Sequence, residues 1–138
     1  MSQIDSITPT FQFRIPVRWG DLDAYNHVNN ANYLRYLEEA RVQWLRSFIR
    51  DWDAVAAAPV MAAVQLNYRV PIGWPVQVRV SQFIEKLGNT SVTVGHRIES
   101  EDGCVLHADG HVVLVWIDRA SGQPVPLPES LRAAISPQ

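Results

Sequence analysis

The chain reads as an α+β domain in which one long helix is joined to an antiparallel sheet of about five strands. Two observations carry this. Only residues 30 to 50 combine apolar residues at helical spacing with a length beyond four turns, whereas five other stretches alternate apolar and polar residues. The later strands are separated by short turn signals, Leu87-Gly88-Asn89 and Ser100 to Gly103, which suit hairpins rather than crossover connections.

In chain order, Phe11, Phe13, Ile15, Val17 and Trp19 alternate with Gln12, Arg14, Pro16 and Arg18, a half-buried first strand that Pro16 assigns to an edge or irregular position. The helix follows. Tyr33, Leu37, Ala40, Trp44 and Phe48, joined by Leu34, Leu45 and Ile49, oppose a polar stripe of Arg35, Glu39, Gln43, Arg46 and Arg50. A helix apolar around so much of its girth requires burial on more than one side, which a curled sheet supplies. An alanine-rich link, 51 to 59, is too short for a second domain. Strands are then predicted over 60–70, 76–81 and 90–98, with a last one from about Cys104 to Ile117. Both faces of residues 112 to 117 are apolar, so that strand is expected to be covered on two sides. A proline-rich tail ends in a short helix candidate at 129–135. The whole of 1–138 is expected to be one domain with peripheral ends at 1–9 and 129–138.

Composition narrows the function. A net charge of -2 and a pI near 6.0, with arginines interleaved among acids and apolar residues, argue against nucleic-acid binding. The single cysteine, Cys104, excludes an internal disulfide framework and is expected to be a small buried side chain at the start of a strand. The N-terminus lacks the basic and apolar regions of a signal peptide, and no apolar run reaches bilayer length, so a cytoplasmic protein without membrane attachment is expected.

The chemistry is expected at the entrance to the helix. Residues 18 to 41 gather Asp21, Asp23, His27, Asn29 and Asn30 between the first strand and the helix. Asn29 and Asn30 are good cap residues, so a helix N-terminus is placed near position 30. Its unpaired N–H groups and positive dipole end can hold a developing oxyanion. Asp23 lies one short loop upstream, where it can attack a carbonyl held there or activate a water beside it. From the pattern alone, caps and turns without chemistry explain the same asparagines and aspartates.

Gly20-Asp21-Leu22-Asp23, His27-Val28-Asn29-Asn30, Tyr33, Tyr36 and Glu39-Ala40-Arg41 resemble the signature of hotdog-fold acyl-CoA thioesterases of the 4-hydroxybenzoyl-CoA thioesterase type. Tyr68-Arg69-Val70-Pro71 and the segment from Asp118 to Pro128 are similar to that family as well. The resemblance implies a hotdog fold, a curved antiparallel sheet wrapped around one long central helix, and hydrolysis of an acyl-CoA or acyl-carrier-protein thioester. It makes Asp23 the nucleophile or general base and favours Asn30 over Asn29 as the backbone oxyanion donor. His27 matches a histidine held to be catalytic in the similar plant acyl-carrier-protein thioesterases, yet the asparagine those enzymes carry two residues after the aspartate is Tyr25 here. Asn29, Tyr33, Arg69 and Trp74 are the expected substrate contacts; Trp74 stands where relatives tend to carry an acid. A homodimer or homotetramer with acyl sites between subunits is implied, with no cofactor beyond the coenzyme A of the substrate. The competing class is a non-catalytic acyl-thioester binder on the same scaffold.

Two groupings are set aside. His107, Asp109 and His111 share a strand face, but strand rise puts the outer pair about 13 Å apart, too far for one ion, so no metal is expected. Glu38 and Glu39 fall on the helix, where another branch of hotdog thioesterases carries its acid, but Glu39 lies on the polar stripe.

Overall fold

The computed structural model describes residues 9–50 and 56–135. The predicted link lies outside the described residues over 51–55, as does the N-terminal end up to residue 8.

A strand β1 (Phe11–Pro16) leads through a 3-10 turn (Trp19–Asp21) to the long helix α1 (Asn30–Arg46). Four strands follow, β2 (Ala57–Tyr68), β3 (Gln77–Leu87), β4 (Ser91–Ser100) and β5 (Leu106–Asp118), and then a short helix α2 (Glu129–Ile135). All pairings are antiparallel, in the order β1-β3-β4-β5-β2. This is the hotdog architecture, with the sheet open at β1 and β2.

The alternation in sequence becomes two faces. Val78 and Val80 of β3, Val92, Val94 and Ile98 of β4, and Val112, Leu114 and Trp116 of β5 are buried under α1. Tyr33, Leu37 and Ala40 pack on one half of that surface, while Trp44 and Leu45 pack on the other. The opposite face of β5, Val113, Val115 and Ile117, is half-buried, so both faces are covered in part. Leu131 of α2 is fully buried against the second half, contributing about 1.5–3 kcal/mol by its removal from water. The C-terminal helix therefore closes the core.

Several expectations shift by a few residues, each for a local reason. β1 stops at Pro16 because the Arg18 N–H is taken by the Asp21 carboxylate, which opens the 3-10 turn and leaves Trp19 73% exposed. α1 gives way after Arg46, where the Ser47 N–H and hydroxyl both return to the Trp44 carbonyl. β3 continues to Leu87 through a bulge between Ile84 and Lys86, which breaks the two-residue period there.

Cys104 overturns its expectation: it is exposed. Its N–H and that of Val105 are taken by the side chains of Asp102 and Ser100, around Gly103 at φ 78, so a turn holds the cysteine outside the strand.

His96 is buried on the core face of β4, near Arg41 of α1, the Gln65 carbonyl of β2 and Asp109 and His111 of β5. Burial, helped by the Arg41 charge, pushes its pKa down to about 4 from 6.5, so the folded protein holds a neutral ring. The unfolded chain takes up the proton first as pH falls. Stability is therefore lost between pH 6.5 and about 4, and a His96→Leu variant is expected to show a flatter melting temperature across that window. An equally steep profile in the variant places the acid sensitivity elsewhere.

Candidate active site

The loop between the 3-10 turn and α1 is built from its own polar groups. The Asp23 N–H donates to the His27 carbonyl at 3.0 Å and the Asn26 N–H to the Asp23 carbonyl at 3.0 Å, a tight turn that Asn26 completes at φ 62. A Leu22–Val28 bridge and the Val28 N–H to Ile72 carbonyl bond, 2.9 Å, fix the turn to the protein body.

Asp21 and Asp23 end up facing different ways, because the 3-10 turn breaks the extended geometry that would have aligned them. Asp21 is 4% exposed and accepts from the Arg18 N–H, the Arg18 guanidinium and the Tyr36 hydroxyl, at 3.0, 3.1 and 2.7 Å. Burial pushes its carboxyl pKa up, but the Tyr36 hydroxyl and the two Arg18 donors together bring it below the ordinary value. Asp23 is half-buried; its Oδ1 accepts from the Tyr25 N–H at 2.9 Å, and its Oδ2 has no partner among the described residues.

The helix entrance can be accounted for donor by donor. The Asn29 N–H goes to the Asp21 carbonyl at 2.9 Å. The Asn29 side chain caps the helix by accepting from the Ala31 N–H at 2.9 Å, and the Asn32 N–H turns back to the Asn29 carbonyl at 2.9 Å. That leaves the Asn30 N–H, alone among residues 29 to 32, without a hydrogen-bond partner among the described residues. The Asn30 carbonyl accepts from the Tyr68 hydroxyl at 3.0 Å, so the next peptide along is held from β2.

Asp23 and Asn30 line one cleft of about 440 Å³, together with Tyr25, His27, Val28, Tyr33, Tyr68, Arg69, Val70 and Pro71. Tyr33 is buried and packs edge-on against Tyr68, with ring centroids 4.8 Å apart. Burial pushes its phenol pKa up, so it stays protonated. Arg69 borders the cleft while held by Asp109, its Nε 3.1 Å from Oδ1 and its Nη2 3.0 Å from Oδ1 and 3.3 Å from Oδ2.

The predicted residues Asp23, His27, Asn30, Tyr33 and Arg69 thus meet in one place. Asn29 is spent on the cap and does not line the cleft. Trp74, 48% exposed beside a cis bond to Pro75, also lies outside its lining. Tyr25 and Tyr68 join the site without having been singled out; Tyr68 opens the Tyr-Arg-Val-Pro stretch, the one signal available for it.

Elsewhere, His107 contacts the Val70 carbonyl at 2.9 Å, and Asp109 is engaged by Arg69 and Asn67. Glu39 sits at the surface with Gln43. A larger cavity of about 720 Å³ between the end of α1 and the start of β2 is lined by Phe48, Ile49, Pro59, Trp116 and their neighbours. Among the described residues, no carboxylate or histidine lines it.

Comparison with known proteins gives the family of the chain. Residues 17–135 match the model of the thioesterase-like superfamily. The chain is 33% identical over 123 residues to the long-chain acyl-CoA thioesterase FadM of Escherichia coli K12, covering 88% of this chain and 93% of that one. A solved structure from Pseudomonas aeruginosa is 38% identical, with a TM-score of 0.89, over 94% of this chain and all of that one. A Thermus thermophilus thioesterase solved with coenzyme A and zinc is 35% identical, with a TM-score of 0.80, over 92% of both chains. The chain belongs to the thioesterase-like superfamily.

Proposed function

We propose that this protein is a thioester hydrolase that cleaves an acyl-CoA thioester to the free acid and thiol in the Asp23 cleft. The observation that carries the reading is the pairing of an open carboxylate oxygen, Asp23 Oδ2, with an open N–H, that of Asn30, on the walls of one cleft. The thioester carbonyl oxygen is received by the Asn30 N–H and the positive end of α1. Negative charge develops on that oxygen as the carbonyl carbon becomes tetrahedral, and a donor already in place stabilises it.

Asp23 acts on the carbonyl carbon in one of two ways. Direct attack expels the thiolate and leaves a mixed anhydride that water cleaves; alternatively Asp23 takes a proton from the attacking water. Oxygen-18 from labelled water appears in the Asp23 carboxylate after a single turnover only by the first route. His27, exposed at the cleft rim, delivers a proton to the departing thiolate in this reading. Tyr33 and Tyr68 line the path of the substrate beside the carbonyl, and Arg69 borders its outer part. The carrier is coenzyme A, the group held by the Thermus relative, with an acyl-carrier protein as the second candidate. The match of the Asp23 motif to the 4-hydroxybenzoyl-CoA type extends the candidate acyl groups to aromatic ones.

A homodimer formed through β2 is part of this reading. β2 is an edge strand, and Val60, Met61 and Val64 along it are each more than 40% exposed. Such an edge invites pairing with another strand, and pairing with its own copy satisfies it isologously. Val64→Arg is expected to shift the protein from dimer to monomer in sedimentation analysis. A monomeric wild type, or a dimer that the charge leaves intact, counts against β2. No described helix is long and apolar enough to cross a membrane.

The test of function is a panel of short-chain, long-chain and aromatic acyl-CoAs and an acyl-carrier-protein thioester, each assayed for thiol release. Hydrolysis of at least one, lost in Asp23→Asn, is expected. Tight binding with no release from any member makes the protein a binder instead.

A further inference from the structure

We propose that Asp21 and Tyr36 form a positioning lock that determines which N–H of the helix entrance is left open to the cleft. The proposal rests on the hydrolase reading and assigns a role to two residues that do not line the cleft.

Asp21 is joined to its surroundings at both ends. Its buried carboxylate is fastened to the second turn of α1 by the Tyr36 hydroxyl, 2.7 Å away, and to the start of the 3-10 turn by the Arg18 N–H. Its peptide carbonyl accepts from the Asn29 N–H and from the Asn32 side-chain amide, both at 2.9 Å. One residue therefore ties three successive parts of the chain, the 3-10 turn, the helix cap and the first helical turns, into one body.

The consequence for chemistry follows from the donors. With the Asp21 carbonyl occupying Asn29, the Asn30 N–H is the one left over. Were Asp21 free to swing, the Asn29 donor would be released and the Asn30 peptide would lose its fixed direction. Tyr36 is 4% exposed, and its phenol pKa is pushed well above the ordinary range by burial and by the Asp21 charge, so it remains a proton donor to the carboxylate at any working pH. Oxyanion stabilisation depends on a donor that needs no reorganisation as charge develops, and a misplacement of about 1 Å can cost 10²-fold in rate. Tyr36 is thus a positioning residue, acting through Asp21 on the Asn30 peptide.

The test is Tyr36→Phe in the full chain, with Asn32→Ala as a second variant that removes the other bond to the Asp21 carbonyl without entering the core. With the fastest acyl-CoA of the panel, Tyr36→Phe is expected to lower kcat by about 10-fold or more with KM within about twofold, because ground-state binding does not use the lock. Hydrogen exchange at the Asn29 amide is expected to speed up by a similar factor while exchange at Val80, in the sheet core, stays as in the wild type. Asn32→Ala is expected to show the same pattern more weakly, and it decides the matter alone if Tyr36→Phe does not fold. Unchanged kcat with unchanged Asn29 exchange in a folded variant overturns the lock. So does faster exchange at Asn29 and Val80 alike, which marks general destabilisation. If the wild type hydrolyses no thioester, the hydrolase reading fails, while the exchange measurements still decide whether the lock exists.

Discussion

Asp23→Asn is expected to lower kcat by at least about 10²-fold with KM little changed, the low end of the range for losing a positioned base, and by more if the carboxylate is the nucleophile. The substitution isolates chemistry from folding. An asparagine oxygen can still accept from the Tyr25 N–H, the one hydrogen bond the Asp23 side chain makes among the described residues, so the turn should persist and the melting temperature should hold. What disappears is the negative charge of a carboxylate on a residue that lines the cleft. His27→Ala is expected to cost less, because the ring stands exposed at the rim where water can replace it as a proton source. An equal or larger loss in the histidine variant would transfer the leading role from Asp23 to His27.

The second large effect is expected from Asn30→Pro set against Asn30→Ala. Proline at the first helical position removes the N–H while suiting the helix backbone there. The preceding residue, Asn29, is already extended at φ -60 and ψ 139, the conformation proline requires of its neighbour. The carbonyl that receives the Tyr68 hydroxyl is retained in both variants. Asn30→Pro is therefore expected to lose about 10²–10³ in kcat, the effect of deleting one oxyanion donor, whereas Asn30→Ala keeps the N–H and most of the rate. Equal losses in the two would assign the role to the asparagine side chain.

The two variants probe parts of the site that differ in how visible they were in the sequence. Asn29 and Asn30 announced the helix start because capping is local: the side chain of one residue answers an N–H two positions on. The choice between their two N–H groups was not local. It depends on the Asp21 carbonyl, eight residues back, and on Tyr36, which stood in the sequence only as one residue of the family signature with no role attached. Strand order is similar. Alternation identified β3 and β4, but the bulge near Glu85 hid the end of β3, and nothing in the pattern of β2 marked it as an open edge. Cys104 was misplaced because a small apolar side chain after a glycine looks like a strand start, while the Asp102 and Ser100 side chains that hold the turn are what decide its exposure. Arg41 illustrates the limit of helical periodicity. It lies beside the apolar stripe and is only 8% exposed, with burial lowering its pKa, although its residue type suggests surface.

At the centre of the account is one electrophilic carbon placed between Asp23 and the first open amide of α1. The most direct measurement is the structure of the protein bound to a non-hydrolysable acyl-CoA analogue in which a methylene replaces the sulfur. The account predicts the ketone oxygen about 3 Å from the Asn30 nitrogen, with Asp23 Oδ2 facing the carbon or a water beside it. An oxygen directed away from α1, or a ligand seated in the apolar cavity with its carbonyl remote from Asp23, would contradict it.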